Sequence, residues 1–241
     1  MNSKIIISEL QSVADSEKAN HLQRFFKTKP GQYGEGDLFL GITVPIIRDI
    51  AKANKQTPLP ELQKLLKNKY HEIRLCALLI VVEHYKKATE KVKKEWFEFY
   101  LKNTDYINNW DLVDLSCPEI VGGYLLDKER TILYRLAENH HLWEQRIAIV
   151  STQKFIKNND FEDTFALTEK LINHSHDLIH KAMGWMLREV GKRDREALTD
   201  FLEEHTTQLP RTTLRYAIEH YPEGQRQYFL KKKITQNIND I

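Results

Sequence analysis

Cysteine is nearly absent from this chain. It has two in 241 residues, Cys76 and Cys117, in no Cys-x-x-Cys or Cys/His spacing. That excludes a disulfide scaffold and offers no thiolate metal site, and it fits a reducing, cytosolic setting. Long apolar runs are also missing, so no membrane-spanning helix is expected. The apolar patch Ile5–Ile7 is short and acids follow it closely, which does not read as a secretory leader. One-signed charge is lacking too, because 36 Lys+Arg stand against 34 Asp+Glu for a net +2. Such a balance does not announce a nucleic-acid binder, although a basic stripe can hide inside it. Glycine is scarce, and three of its nine occurrences fall in Pro30–Asp37, the one conspicuous irregular stretch. Strand-type alternation is rare. Of ten histidines, His174, His176 and His180 form an irregular run read as surface or capping residues rather than metal ligands.

What is present is helical periodicity. Ile73, Cys76, Ala77, Ile80 and Val81 recur three and four residues apart, as do Ile179, Ala182, Met183, Met186, Leu187 and Val190, each set forming an apolar stripe. Pro60 and Pro210 suit first-turn positions. Asn108 and Asn109 are candidate N-caps for a helix carrying Trp110, which Pro118 ends or kinks. The segments beginning at Ile73, Glu144 and Ile179 resemble one another, and TLRYAIEHY continues the series. A period of about 35 residues with two helices per unit predicts an all-α solenoid of HEAT-like repeats, curved, with inner helices lining a concave face. We expect one domain over 1–241: a cap at 1–40, repeats at 41–222, and a tail at 223–241 that frays at KKKITQNINDI.

Trp185 breaks the pattern. It lies far from the stripe of its own helix, beside Lys181 and Arg188, where so large an apolar ring invites a partner or a ligand. Trp110 and Asp114, four residues apart, share a helix face, with Leu112 and Leu115 turned away. In LWEQRIAIVSTQKF the stripe Ala148, Ser151, Thr152, Phe155 leaves Arg146 opposite, out of the core. Successive repeats thus offer Trp110/Asp114, Arg146, and Trp185 with Lys181 and Arg188 to one surface. Each has a plain alternative in packing, capping or a solvated charge.

Cations bind phosphates, and aromatic faces attract sugars and cationic bases. A lone carboxylate can stabilise developing positive charge and orient a water. Ordinary glycoside cleavage needs a second carboxyl group as acid. An alkylated purine already carries positive charge, so its departure needs no proton and one carboxylate suffices, by favouring an oxocarbenium-like sugar over the ground state.

The motifs FLGITVPIIRDIAK from Phe39, NNWDLVD, LWEQRIAI and KAMGWMLREVGKRD resemble those of the AlkD-type alkylpurine DNA glycosylases, HEAT-like repeat proteins of DNA alkylation repair. The likeness spans roughly residues 20–220, and its most specific part is Lys-Ala-x-Gly-Trp-x-Leu-Arg-Glu. It implies that Asp114 is the catalytic aspartate, that Trp110 and Trp185 contact the backbone around the lesion nucleotide, and that Arg146 contacts DNA near it, with Lys181 and Arg188 as further DNA-binding cations. It also implies a monomer that excises N3- and N7-alkylated purines from duplex DNA without metal or cofactor. The lesion need not be flipped out, unlike in most glycosylases. The expected location is the bacterial cytoplasm, on the nucleoid. The chain departs from the family at TKPGQYGEGD, which resembles an insertion, at Phe25 or Phe26, where the family has a tyrosine, and at Thr43, where it has a glutamine. The competing reading is a non-catalytic HEAT-like module that binds DNA structures or a protein.

Overall fold

The computed structural model describes residues 2–239. Among them the only strand-like pairing is an isolated bridge between Leu38 and Tyr70; the rest of the regular structure is helical, as the periodicity predicts. The chain divides into two compact units, Met1–Tyr124 and Leu125–Ile241, where the sequence reading expects one domain.

The first unit contains α1 (Ser3–Ser12), α2 (Ser16–Phe25), α3 (Val44–Ala53), α4 (Leu59–Leu66), α5 (His71–Tyr85), α6 (Glu90–Leu101) and α7 (Trp110–Asp114). Asn2 caps α1 through the Lys4 amide, and Asp15 caps α2 through the amides of Glu17 and Lys18, each satisfying donors that a helix start leaves open. Pro60 falls in the first turn of α4, as expected. Helix α5 is apolar around most of its circumference and buried almost throughout, and α3 and α4 pack against it. A helix of that kind is stable only at the centre of a unit. Gly41 makes a tight approach possible: its φ is +84°, and a Cβ there would lie 2.0 Å from the Asp15 carbonyl oxygen. After α7, Pro118 opens a π-helical turn, Pro118–Gly122, so the residue expected to end or kink the Trp110 helix begins a differently wound segment.

The helical turn α8 (Gly123–Leu125) is followed by α9 (Thr131–Glu138), α10 (Leu142–Ser151), α11 (Gln153–Ile156), α12 (Glu162–Lys170), α13 (Asp177–Arg193), α14 (Arg195–His205), α15 (Arg211–Ala217) and α16 (Glu223–Asn239). The starts of α10, α13 and α15 lie about 35 residues apart, which is the predicted repeat. The stripe Ile179, Ala182, Met183, Met186, Leu187 and Val190 is fully buried, stabilising by about 2 kcal/mol per large side chain. Gly184 lets α13 and α15 close up, since a Cβ there would sit 2.5 Å from the Tyr216 Cβ and 2.6 Å from the Thr213 carbonyl oxygen. Pro210 is the N-cap of α15 rather than a first-turn residue. The tail expected from residue 223 is instead helical to Asn239, with Phe229 buried; the last two residues of KKKITQNINDI lie outside the described residues.

Candidate nucleic-acid interface

Helix α7 is only five residues long, and isolated helices of that length do not persist. Its start is therefore held by other parts of the first unit. The Trp110 amide donates to Asn109 Oδ1 at 2.9 Å, confirming one of the two expected caps. Asp111 reaches inward, where its Oδ2 accepts from His71 Nε2 at 2.8 Å. The other ring nitrogen of His71 donates to Asp37 Oδ2 at 3.1 Å, and Arg74 Nη2 donates to Asp37 Oδ1 at 2.6 Å. Asn108 and Asn109 each donate a side-chain N–H to Asp37 at 3.3 Å. With a carboxylate at each ring nitrogen, His71 is an imidazolium. Burial by itself would lower its pKa, but the charge of Asp111 and the bonds from both carboxylates outweigh burial and push it up to about 9. For Asp37 burial acts upward, while the His71 bond and the Arg74 charge hold its carboxyl below the usual range.

An aromatic column runs parallel to this network. Trp110 stacks on Phe26 at 5.1 Å between ring centroids, Phe26 on Phe39 at 5.0 Å, and Phe39 on His71 at 4.6 Å. Phe26 and Phe39 are buried, whereas Trp110 is half-buried and Phe25, edge-on to it at 6.0 Å, is 56% exposed. Of the two phenylalanines that could replace the family tyrosine, only Phe25 reaches the surface. Asp114 ends α7 one turn beyond Trp110 and is half-exposed, not sealed in the core. Leu112, expected to turn the other way, is fully buried. Below Asp114, Ser116 donates to the Leu112 carbonyl at 2.5 Å. Its single proton is thereby used, so the Tyr100 hydroxyl is the donor in the 2.9 Å bond to Ser116. Burial first, then the neighbouring Cys117 and Asp114, raise the Tyr100 phenol well above its ordinary range.

Glu72 was not foreseen either. It is buried, and its carboxylate accepts from the amides of Leu40, Gly41 and Ile42 at 2.9, 2.8 and 3.3 Å. It thereby fixes the FLGI stretch through its backbone, while Thr43 beside it is exposed. Its sequence signal, an acid at the start of an apolar helix, has an ordinary explanation in the helix dipole. His71 and Asp37 carry no local signal at all.

In the second unit, Ala148, Ser151, Thr152 and Phe155 are buried as predicted. Arg146 is not opposite the core as expected: it is only 5% exposed, and its Nη1 donates to the Leu178 carbonyl at 2.5 Å. The cause is that α10 is buried on nearly every side, so no face of it remains for a fully solvated cation. Trp185, Lys181 and Arg188 do share the half-buried side of α13, away from its stripe. Lys181 pairs with Asp177 at 2.8 Å, and Arg188 pairs with Glu219. His176 caps α13 by accepting from the Leu178 amide at 3.1 Å, and His174 bonds Gln145 at 2.8 Å, in line with a capping role. Among the described residues no group of three His, Cys, Asp or Glu side chains is arranged to hold a metal ion, and no helix is long and apolar enough to cross a membrane. Both cysteines are buried and in no disulfide.

The family model described as "DNA alkylation repair enzyme" matches residues 6–221, so the chain belongs to the DNA alkylation repair enzyme family. A solved structure titled as a predicted DNA alkylation repair enzyme from Enterococcus faecalis superimposes with a TM-score of 0.68 at 15% identity, covering 87% of this chain and 97% of that one. At that identity the likeness establishes the fold. No curated protein sequence matches the chain. Family membership supports a role in DNA repair.

Proposed function

We propose that the protein is a DNA glycosylase that hydrolyses the N-glycosidic bond of N3- and N7-alkylated purines in duplex DNA. The observation that carries this reading is α7 itself: a half-exposed carboxylate, Asp114, one helical turn from a half-buried indole, Trp110, in a chain of the DNA alkylation repair family. The electron pair of the C1′–N bond leaves with the alkylated purine and cancels its positive charge. No acid is needed, which is why a single carboxylate is enough. Asp114 stabilises the oxocarbenium-like sugar and orients the water that adds to C1′, taking up its proton.

Trp110 packs against the sugar-phosphate backbone at the lesion, and Trp185 of the second unit is a further contact to the DNA backbone. Lys181 and Arg188 exchange carboxylate partners for phosphates, at low cost for Lys181 because its ion pair is exposed and exposed pairs contribute little. Arg146 keeps its bond to Leu178 and adds fixed positive charge near the start of α13. The protein acts as a monomer on chromosomal DNA in the bacterial cytoplasm.

The test is release of free base from DNA containing 7-methylguanine, followed by chromatography. Asp114→Asn is expected to slow release at least about tenfold, equivalent to about 1.4 kcal/mol of barrier, and Trp185→Ala to weaken binding of abasic-site DNA. Full activity in Asp114→Asn would remove Asp114 from the reaction. DNA binding by the wild type with no base release would leave the non-catalytic module as the function.

A further inference from the structure

In the first unit, the end of α2 and the loop that follows it enclose a cleft of about 560 Å³ lined by Asn20, Gln23, Arg24, Lys27, Thr28, Lys29 and Gln32. Its lining is basic, with three cations and no acid. Among the described residues, none of these three cations is in an ion pair. The nearest loop acid, Glu35, is occupied with the Gly31 amide at 2.8 Å, and Asp15 and Glu17 stand at the far end of α2.

A helix C-terminus favours cations, which accounts for Arg24. It does not account for Lys29, which lies beyond the helix, nor for the conformation of Lys27. Lys27 has φ +52°, and the Thr28 amide closes back on the Gln23 carbonyl at 3.1 Å, a C-terminal turn whose left-handed position is usually glycine. The chain keeps a lysine there against its backbone preference. Gln32 is oriented as well: its Oε1 accepts from the Lys29 amide at 3.2 Å, so its NH2 group remains a donor toward the cleft. Phe25, between Arg24 and Lys27 in the chain, carries this surface to Trp110.

We propose that this cleft binds phosphates of the duplex DNA backbone, as an anchoring point separate from Asp114 and Trp110. Three cations together with side-chain amide donors suit phosphodiester oxygens. The proposal rests on the reading of the chain as a DNA-acting protein.

The experiment is anisotropy titration of unmodified duplex DNA across a salt series. It compares the wild type, the triple variant Arg24→Gln/Lys27→Gln/Lys29→Gln, and Lys27→Gly alone. Each lost phosphate contact should make the slope of log K against log salt shallower by about 0.9. The expected shift is therefore about 2 to 3 for the triple variant and about 0.9 for Lys27→Gly. Lys27→Gly relieves the left-handed lysine, so its melting temperature should be no lower than that of the wild type even if the triple variant folds poorly. Unchanged slopes in both variants, with a wild type that binds DNA, would overturn the cleft and leave the glycosylase reading standing. A wild type that binds no DNA would overturn both.

Discussion

Replacing His71 with glutamine tests the network that holds α7 in place. The folded-state pKa of His71 is pushed up to about 9 from an ordinary 6.5. Because the folded value is the higher one, its stabilisation is complete below pH 6.5 and is lost as pH rises through about 9. At about 1.4 kcal/mol per pH unit, the loss across that window is roughly 3 kcal/mol. This agrees with the 3–5 kcal/mol roughly expected when one partner of a buried ion pair is removed. Urea unfolding of the wild type at intervals from pH 6 to pH 9 should show stability falling by that amount. His71→Gln should be less stable by a similar amount at pH 6, and the gap should close toward pH 9. Higher pH is avoided because Cys76, pushed up to about 12 by burial, loses its own contribution above its ordinary value of 9. Asp37 acts in the opposite sense: its folded pKa is lowered, so its contribution is present above 3.8 and is lost as acid protonates it. The network is thus strongest between about pH 4 and 6.5. Parallel pH curves for wild type and His71→Gln would refute an imidazolium at this position.

Two glycines of similar φ separate backbone strain from steric contact. Gly36→Ala, at φ +83° with open space around the new Cβ, should cost about 1–2 kcal/mol. Gly41→Ala, whose Cβ would meet backbone, should cost about 3 kcal/mol or more in the same urea assay; equal costs would refute the close approach. In the second unit, Arg130 bridges Asp160 and Asp163 at 2.7 and 2.5 Å, donates to the Leu126 carbonyl at 2.8 Å, and lies 3.9 Å over the Phe155 ring. Arg130→Lys keeps the charge but loses the fork and the stacking, and should cost about 1–3 kcal/mol by thermal unfolding; no change would mean that charge alone matters there.

The sequence by itself determined the helices and their buried stripes, because a period of 3.6 is a local property. Ile179 to Val190 could be assigned to the core, and Trp185, Lys181 and Arg188 to the opposite side, from spacing alone. The cap at Asn109, and Trp110 and Asp114 on one face of α7, were legible for the same reason. The tertiary structure alone decided where Arg146 sits, because α10 is enclosed by neighbours that its own residues do not specify. It alone brought Asp37, His71 and Asp111 together from positions 34 and 40 residues apart. The physical reason is the same in each case: hydrophobic periodicity is written along the chain, whereas the partner of a buried charge is chosen by packing between segments that have no sequence relation to one another.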